Sequence, residues 1–389
     1  VTWPDPAPPA MTAWYNAEKE SQARAYDRIQ GQLFLLRFGL LFAAAAAFWL
    51  SGLAEAVAAG LATRFTFPLA WPLVCAGVTA LAVAGYEVLL FPLSVLADYS
   101  IERAYGRFRG EFGQWLRGYL LSMLFEIGLL SGAFTGLYAL HALLPNTWWL
   151  MATWLYGTLV GGLGKLGPAW LLPRVRPPVP ITDEDLLAEL RRVGKLAGLE
   201  ITGAGWWNFD YQDDLDAVQL TGWGRRRQVV FTERAWRELD RRELVFLAAR
   251  LMGWEQRHAA LGMHLLHLTL TAAVFWGGGK IVAALAQARG YDAIHPAILP
   301  FWVVVLFGLA AVAGVVVHAV GRRGELRADQ FALRHVGGAD TLQTCLRHEF
   351  EREPFALDAA WWQVLLLRKT PTPAHRLAQA AALPRATDA

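Results

Sequence analysis

The feature that most constrains this chain is a series of apolar stretches, each long enough to cross a bilayer. A transmembrane helix needs about 20 predominantly apolar residues. Six segments meet this requirement, at residues 32–53, 72–97, 117–144, 147–172, 257–279 and 298–320. With 55% hydrophobic residues and 18 tryptophans in 389 residues, the chain has more apolar surface than a soluble domain normally carries. The sequence therefore predicts a mainly α, polytopic helical membrane protein.

The distribution of arginine predicts the orientation of these spans, because short basic loops remain in the cytoplasm. The loop after the second predicted span carries Arg103, Arg107, Arg109 and Arg117, whereas the "PNT" loop after the third carries no basic residue. We therefore expect both termini and the 173–242 segment to be cytoplasmic in a bacterial-type inner membrane. The net charge of +3 follows from this asymmetry, and it does not indicate nucleic-acid binding.

The segments between the spans divide the chain into five predicted parts. These are an N-terminal cytoplasmic segment (1–31), a four-helix transmembrane region (32–172), a cytoplasmic α+β insert (173–242), a motif helix with two spans (243–320) and a cytoplasmic helical tail (321–389). The two cysteines, Cys75 in a span and Cys345 in the tail, would lie at different depths. A disulfide and a cysteine metal site are therefore both disfavoured.

Local signals give a coarse secondary structure for the insert and tail. Thr182 or Asp183 is a candidate N-cap for a helix of period 3.6. "AVQLTGWGRRRQVVF" reads as two strands joined around Gly222 and Gly224. A helix from about Asp240 is expected to continue into the fifth span. The sixth span should lead into a helix stopped by Gly337 and Gly338, followed by a short helix near the C-terminus.

The order of these elements resembles the membrane-embedded CAAX prenyl endopeptidases, gluzincin-type metallopeptidases with HtpX-like relatives. "AVQLTGWGRRRQVVF" looks like their strand pair, "ELRAD" matches their Glu-x-x-x-Asp at Glu325 and Asp329, and "TPTPAHRL" resembles their tail element at Arg376. "FPLSVLADYSIERAYG" is similar to a family loop, with candidate positions Tyr99, Glu102 and Gly106 and a competing alignment on "GEFG" at 110–113. The resemblance implies a metallopeptidase-type insert, usually seven spans, and zinc-dependent cleavage of peptides, including prenylated ones.

The zinc motif that the resemblance implies is degenerate in this chain. In H-E-x-x-H, two histidines on one helix face and a glutamate from a second helix hold zinc, and the intervening glutamate is the general base. Placing this motif on "LAARLMGWEQRH" puts Ala249 and Gly253 at the histidine positions and Arg250 at the base. Alanine and glycine offer no ligand atom, and a guanidinium cannot accept a proton. Glu325 would then be the only family ligand that remains.

An unpaired carboxylate in a partly buried site is costly, so we expect an ion pair between Arg250 and Glu325 at the former zinc site. Asp329 would share the Arg250 guanidinium or pair with Arg322, and Arg376 belongs to the same remnant. A relocated metal site is the alternative, with His258, Glu255 and His335 as candidate ligands. His264 and His267 are better explained by polar partners inside a helix bundle.

Other polar and aromatic residues favour structural roles over a binding site. We expect five tryptophans to belong to a membrane-interface belt rather than to a chamber; they are Trp206, Trp207, Trp223, Trp361 and Trp362. Glu126 could mark a polar cavity or a helix pairing. The run Arg225–Arg227 indicates a solvated basic face and a possible headgroup contact.

The sequence thus favours an inactive homologue with no cofactor, in contact with the lipid bilayer. Its partner would be a hydrophobic or prenylated peptide, a lipid or another membrane protein, and no nucleic acid. The alternative is an active zinc endopeptidase with non-standard ligands. A lipid-handling or assembly factor is the third class of function.

Overall fold

The structure is a computed structural model that describes residue 12 and residues 15–65, 67, 70–161, 171–207, 217–222, 224–256, 259–352 and 354–383. The chain forms two compact units. We call residues 26–156 and 268–313 the membrane unit, and residues 1–25, 157–267 and 314–389 the site unit.

The described helices of eight or more residues, together with two shorter ones, are labelled here in chain order. They are α1 (Ala17–Leu50), α2 (Leu53–Arg64), α3 (Trp71–Ser94), α4 (Phe112–Leu143), α5 (Trp148–Gly161), α6 (Glu184–Leu196), α7 (Glu233–Glu238), α8 (Arg241–Glu255), α9 (Ala259–Gln287), α10 (Leu299–His335), α11 (Ala339–Arg352), α12 (Trp361–Leu366) and α13 (Pro373–Ala382). The strands are β1 (Val179–Pro180), β2 (Glu200–Trp207), β3 (Val218–Thr221) and β4 (Arg226–Thr232).

Among the described residues, five helical segments are long and apolar enough to cross a membrane, so this is an integral membrane protein. They are Ala17–Leu50, Trp71–Ala104, Phe112–Leu143, Leu261–Gln287 and Pro296–His335. Five of the six predicted spans correspond to these segments. The predicted fourth span coincides with α5 as far as Gly161, and its continuation at 162–170 lies outside the described residues.

The membrane unit is built around the packed pair α3 and α4. Its buried core includes Cys75, Val78, Tyr138, Trp148 and Trp302. α3 continues as a π-helix at Val95–Ile101. Polar contacts within the unit join separate helices, since Arg37 Nη2 lies 2.7 Å from Asp98 Oδ2 and Tyr119 Oη donates to Glu87 Oε2 at 2.7 Å.

Two expectations for polar residues of the membrane unit can be compared with their positions. Glu126 is exposed on α4. In the "GEFG" segment, Glu111 is the N-cap of α4 and forms a capping box with Gln114. Glu102 accepts hydrogen bonds from Tyr26 Oη at 2.5 Å and Gln30 Nε2 at 2.8 Å, while the Tyr99 ring lies against Phe108 and Phe112.

The site unit contains a four-stranded mixed sheet in the order β1-β2-β4-β3. β3 and β4 form the predicted antiparallel hairpin, with Gly222 and Gly224 at positive φ angles of 96° and 59°. Glycine tolerates these left-handed conformations because it has no Cβ. β2 pairs in parallel with β4, an arrangement that the sequence pattern did not predict.

Amphipathic helix α6 packs against this sheet and α8. Asp183, one of the two predicted candidates, is its N-cap, since its carboxylate accepts a hydrogen bond from the Leu186 N–H at 3.0 Å. That bond lowers the pKa of Asp183, and the neighbouring Arg241 adds to the effect. The core beneath the sheet includes Leu186, Leu190 and Phe231, which are buried.

Two predictions for the site unit are wrong. The helix from Asp240 does not continue into the fifth span, because α8 ends at Glu255 and Gln256 takes a non-helical ψ of 147° while its side chain donates to Leu196 O. Trp207 is a core residue rather than part of an interface belt, because it is 2% exposed and its Nε1 donates to Arg176 O at 3.0 Å. Trp206 is half-buried, Trp361 is 68% exposed, and Trp223 lies outside the described residues.

The end of the chain follows the predicted pattern. α10 is one helix of 37 residues that ends at His335, before Gly337 and Gly338. α13 begins after Thr372, whose hydroxyl accepts a hydrogen bond from the His375 N–H at 3.3 Å.

Candidate functional site

α8 is the helix that carries the degenerate motif, and a capping box fixes its start. Asp240 accepts a hydrogen bond from the Glu243 N–H at 2.8 Å, and Glu243 Oε2 accepts one from the Asp240 N–H at 2.9 Å. Such reciprocal bonds satisfy backbone donors that the first helical turn leaves unpaired. Leu244, Phe246 and Met252 then anchor α8 in the core of the site unit, where the helix is buried on more than one side.

Arg250 projects from α8 to the acidic residues of α10. Its Nη2 donates a hydrogen bond to Glu325 Oε2 at 2.9 Å, which is the contact expected from the sequence. Its Nε lies 2.5 Å from Asp329 Oδ1, as an ion contact in which the N–H is not directed at the oxygen. One guanidinium therefore bridges two carboxylates that stand one turn apart on α10.

Arg376 of α13 supplies a second cation to the same site. Its Nε and Nη2 donate to Asp329 Oδ2 and Oδ1 at 2.8 and 3.2 Å, a forked geometry that suits arginine. Arg322, the other partner considered for Asp329, instead donates to the carbonyl oxygens of Val364 and Arg368. We call Arg250, Glu325, Asp329 and Arg376 the charged cluster.

The charged cluster is electrically balanced, with two guanidinium and two carboxylate groups. The Asp329 side chain is 1% exposed and that of Arg376 is 12% exposed. Burial alone would lower the pKa of Arg376, but the Asp329 carboxylate reverses this and raises it above the usual value. Both groups are therefore charged at neutral pH, and each has its counter-charge within the protein.

The residues beside Arg250 on α8 have distinct surroundings. Ala249 is fully buried in the hydrophobic core. Gly253 lies so close to α10 that a Cβ at this position would be 2.8 Å from the Cβ of Phe331. The Trp254 ring covers the backbone at Gly324, and a Cβ added to Gly324 would overlap it.

Comparison with known proteins agrees with this architecture. The sequence matches Peptidase family M48 over residues 180–382. The chain belongs to this family. The fold is similar to the crystal structure of S. mikatae Ste24p, with a TM-score of 0.74 and 14% sequence identity over 96% of this chain and 91% of that chain. No curated protein matches the sequence of the chain.

Membership of the M48 metallopeptidases implies zinc, and the described residues around Glu325 do not fit this ion. Zinc requires several nitrogen, oxygen or sulfur donors in tetrahedral geometry. Near Glu325, the nearest charged atom from α8 is a guanidinium nitrogen at 2.9 Å, which repels a cation and has no lone pair to donate. Within the described ranges, no group of three His, Cys, Asp or Glu side chains could hold a metal ion.

The candidate ligands for a relocated metal do not come together in the described part of the chain. Glu255 Oε2 lies 3.7 Å from Arg227 Nη2, and the His335 ring lies against Phe331 at a centroid distance of 4.7 Å. His258 is outside the described residues. Arg227 therefore contacts α8. Arg225 and Arg226 are exposed at the hairpin, as expected for a solvated basic face.

One polar pair beside the charged cluster was not expected from the sequence. His348 Nδ1 of α11 lies 2.6 Å from Oε1 of Glu243, whose side chain is 2% exposed. Cys345 is partly buried nearby, and desolvation raises the pKa of its thiol to about 12. The capping-box pattern could have identified Glu243 as a helix-start residue, but the partner on α11 lies 105 residues away.

Proposed function

We propose that this M48 protein is a membrane homologue of the CAAX prenyl endopeptidases that has no peptidase activity. The observation that carries the proposal is the Arg250 side chain, which neutralises Glu325 and Asp329 where the family would place metal chemistry. Peptide hydrolysis at a metal site needs a metal-bound water and a base to activate it. Neither Arg250 nor its neighbours Ala249, Leu251, Gly253 and Trp254 can supply a ligand pair or that base.

The retained function would be binding. The family fold is maintained around the cluster, and β3 is an edge strand of the sheet, with no described strand paired on its outer side. An edge strand can receive an extended peptide through backbone hydrogen bonds. We propose a hydrophobic or prenylated peptide segment as the ligand, with a lipid or a membrane protein as the other partners to be tested.

Metal content and proteolysis of the purified full-length protein test the loss of activity. Elemental mass spectrometry should find far less than one zinc per chain, and a farnesylated CAAX peptide should remain uncleaved. The matched control is Glu325→Gln, which removes the retained family carboxylate. Wild-type protein that contains stoichiometric zinc, or that cleaves the peptide while Glu325→Gln does not, would establish the alternative of an active enzyme with non-standard ligands.

Mass spectrometry of molecules that copurify with the protein tests the ligand class. Peptide enriched with wild-type protein supports the binding proposal, whereas enrichment of lipid alone would favour a lipid-handling factor. The control is Leu220→Pro in β3. The Thr232 N–H donates to Ala217 O, and hydrogen-bonded pairs recur at every second residue of an antiparallel pair, so the Leu220 N–H points away from β4. Proline there removes a donor of the outer edge only. Peptide capture should fall in this variant while folding, followed by its melting temperature, is retained.

The proposed orientation has its own test. Both termini and the 173–242 segment should be cytoplasmic, as the arginine-rich loops predict. A cysteine introduced at exposed Arg226, in a background without Cys75 and Cys345, should react with a membrane-impermeant maleimide only after the cells are opened. Labelling of intact cells would reverse the orientation.

A further inference from the structure

Two positions on α8, four residues apart, face the turn of α10 that carries the retained carboxylate. Arg250 contacts Glu325 and Asp329, and Trp254 lies over Gly324, the residue before Glu325. Side chains at i and i+4 share one face of a helix. This is the spacing that a pair of metal-ligating histidines requires.

The positions one residue earlier have no room for such ligands. A Cβ at position 253 would already be 2.8 Å from the Cβ of Phe331, an atom fixed to the backbone of α10, and an imidazole is far larger. Position 249 is fully enclosed by apolar side chains. Ligands at these two positions would require the elements packed around α8 to move apart, since packed interiors resist added volume.

We infer that Arg250 and Trp254, with Leu251 at the position of the base, occupy the H-E-x-x-H frame of this fold. The frame therefore lies one residue after the Ala249, Arg250 and Gly253 register that the sequence suggested. Since a helix turns by about 100° per residue, the two frames place their ligand positions on different faces of α8. The inference rests on the proposed loss of the metal, and it adds which side chains took its place.

In this frame the charged cluster replaces the metal as the link between helices. The Arg250 guanidinium lies between Glu325 and Asp329, Arg376 holds the other side of Asp329, and the Trp254 ring fills the second ligand position. The four charges cancel, so a divalent cation would enter a site that already has no net negative charge. Replacing Arg250 by a neutral donor removes that barrier and leaves the cluster with one excess carboxylate.

Two triple variants that differ only in register test the inference. Arg250→His, Leu251→Glu and Trp254→His together should bind about one equivalent of zinc, and zinc should raise the melting temperature of the purified protein. The matched variant Ala249→His, Arg250→Glu and Gly253→His should bind none. Binding by the second variant instead of the first, or by neither when both are folded, overturns the inference.

A smaller change keeps the test decisive if the first triple variant does not fold. Arg250→His alone leaves the Glu325 and Asp329 carboxylates beside an imidazole, so cobalt or zinc should raise its melting temperature, whereas the same ions should not affect Ala249→His. No metal-dependent shift in folded Arg250→His would contradict the inference. Zinc in the wild-type protein would instead refute the proposed loss of activity, so the two failures are distinguishable.

Discussion

The charged cluster of the site unit and two buried hydroxyl groups of the membrane unit are polar groups of opposite kinds. In the site unit, the charged cluster pairs each carboxylate with a guanidinium, and Asp329 has two. In the membrane unit, the hydroxyls of Ser131 and Tyr138 are buried on α4 and have no hydrogen-bond partner among the described residues. The cluster fixes three helices in register through directional contacts, while these hydroxyls fix nothing. Changes in the cluster should therefore have large effects, and loss of an unpaired hydroxyl should have almost none.

The largest effect is expected from Arg250→Met. The variant leaves Glu325 and Asp329 with only Arg376 as counter-charge, and removal of one partner from a buried ion pair typically costs 3–5 kcal/mol. We expect about 3 kcal/mol, at the lower end of that range, because a fifth of the Arg250 side chain (21%) is exposed. Thermal or denaturant unfolding in detergent measures it. Arg226→Met, whose parent side chain is 76% exposed, is the control, and equal losses in both variants would contradict the prediction.

Gly324→Ala should be the next most damaging change. The added methyl group overlaps the Trp254 ring, and overpacking of this kind costs about 1–3 kcal/mol. Gly314→Ala is a matched control on the same helix, because its Cβ would meet nothing within 4 Å, and alanine favours a helix over glycine. Adding Trp254→Leu to Gly324→Ala should restore part of the loss in a double-mutant cycle. Additive losses of stability from the two substitutions would show that the Trp254 ring does not contact the methyl group added at position 324.

His348→Leu should have a moderate effect. It removes the partner of Glu243 Oε1 and leaves that buried oxygen without a hydrogen bond, at a cost of about 1–2 kcal/mol. Glu243→Gln on the His348→Leu background removes the unpaired charge while the amide oxygen can still accept the Asp240 N–H. The double variant should therefore be more stable than His348→Leu alone. If Glu243→Gln lowers the stability of both the wild-type protein and His348→Leu, the loss in His348→Leu does not come from an unpaired Glu243 charge.

Tyr138→Phe should have the smallest effect, within about 0.5 kcal/mol of wild type, because a buried hydroxyl without a partner contributes no hydrogen bond. Tyr119→Phe is the control in the same unit, since Tyr119 donates to Glu87 at 2.7 Å. It should be less stable than Tyr138→Phe in unfolding experiments. A larger loss of stability in Tyr138→Phe would show that the Tyr138 hydroxyl has a hydrogen-bond partner in the folded protein. The contrast between the paired cluster and the unpaired hydroxyls would then be lost.

Much of the fold follows from local sequence. Apolar length predicted the spans, and capping chemistry gave Asp183 as one of two candidate starts of α6, because these features depend on residues within a turn of each other. The parallel pairing of β2 with β4 and the burial of Trp207 were missed. Both depend on segments that are distant in sequence, and "EITGAGWW" has no regular alternation that would mark a strand.

The sequence alone determined that α8 has no histidine at either possible ligand frame, and that Arg250 and Glu325 are the residues to compare. Only the tertiary structure decided which face of α8 meets α10 and that Asp329 pairs with Arg376 rather than Arg322. The physical reason is that a shift of one residue turns a helix by about 100°. Ala249 and Arg250 are neighbours in sequence but lie on different faces of α8. The packing of α8 against Phe331 and Gly324 decides which of these faces meets α10.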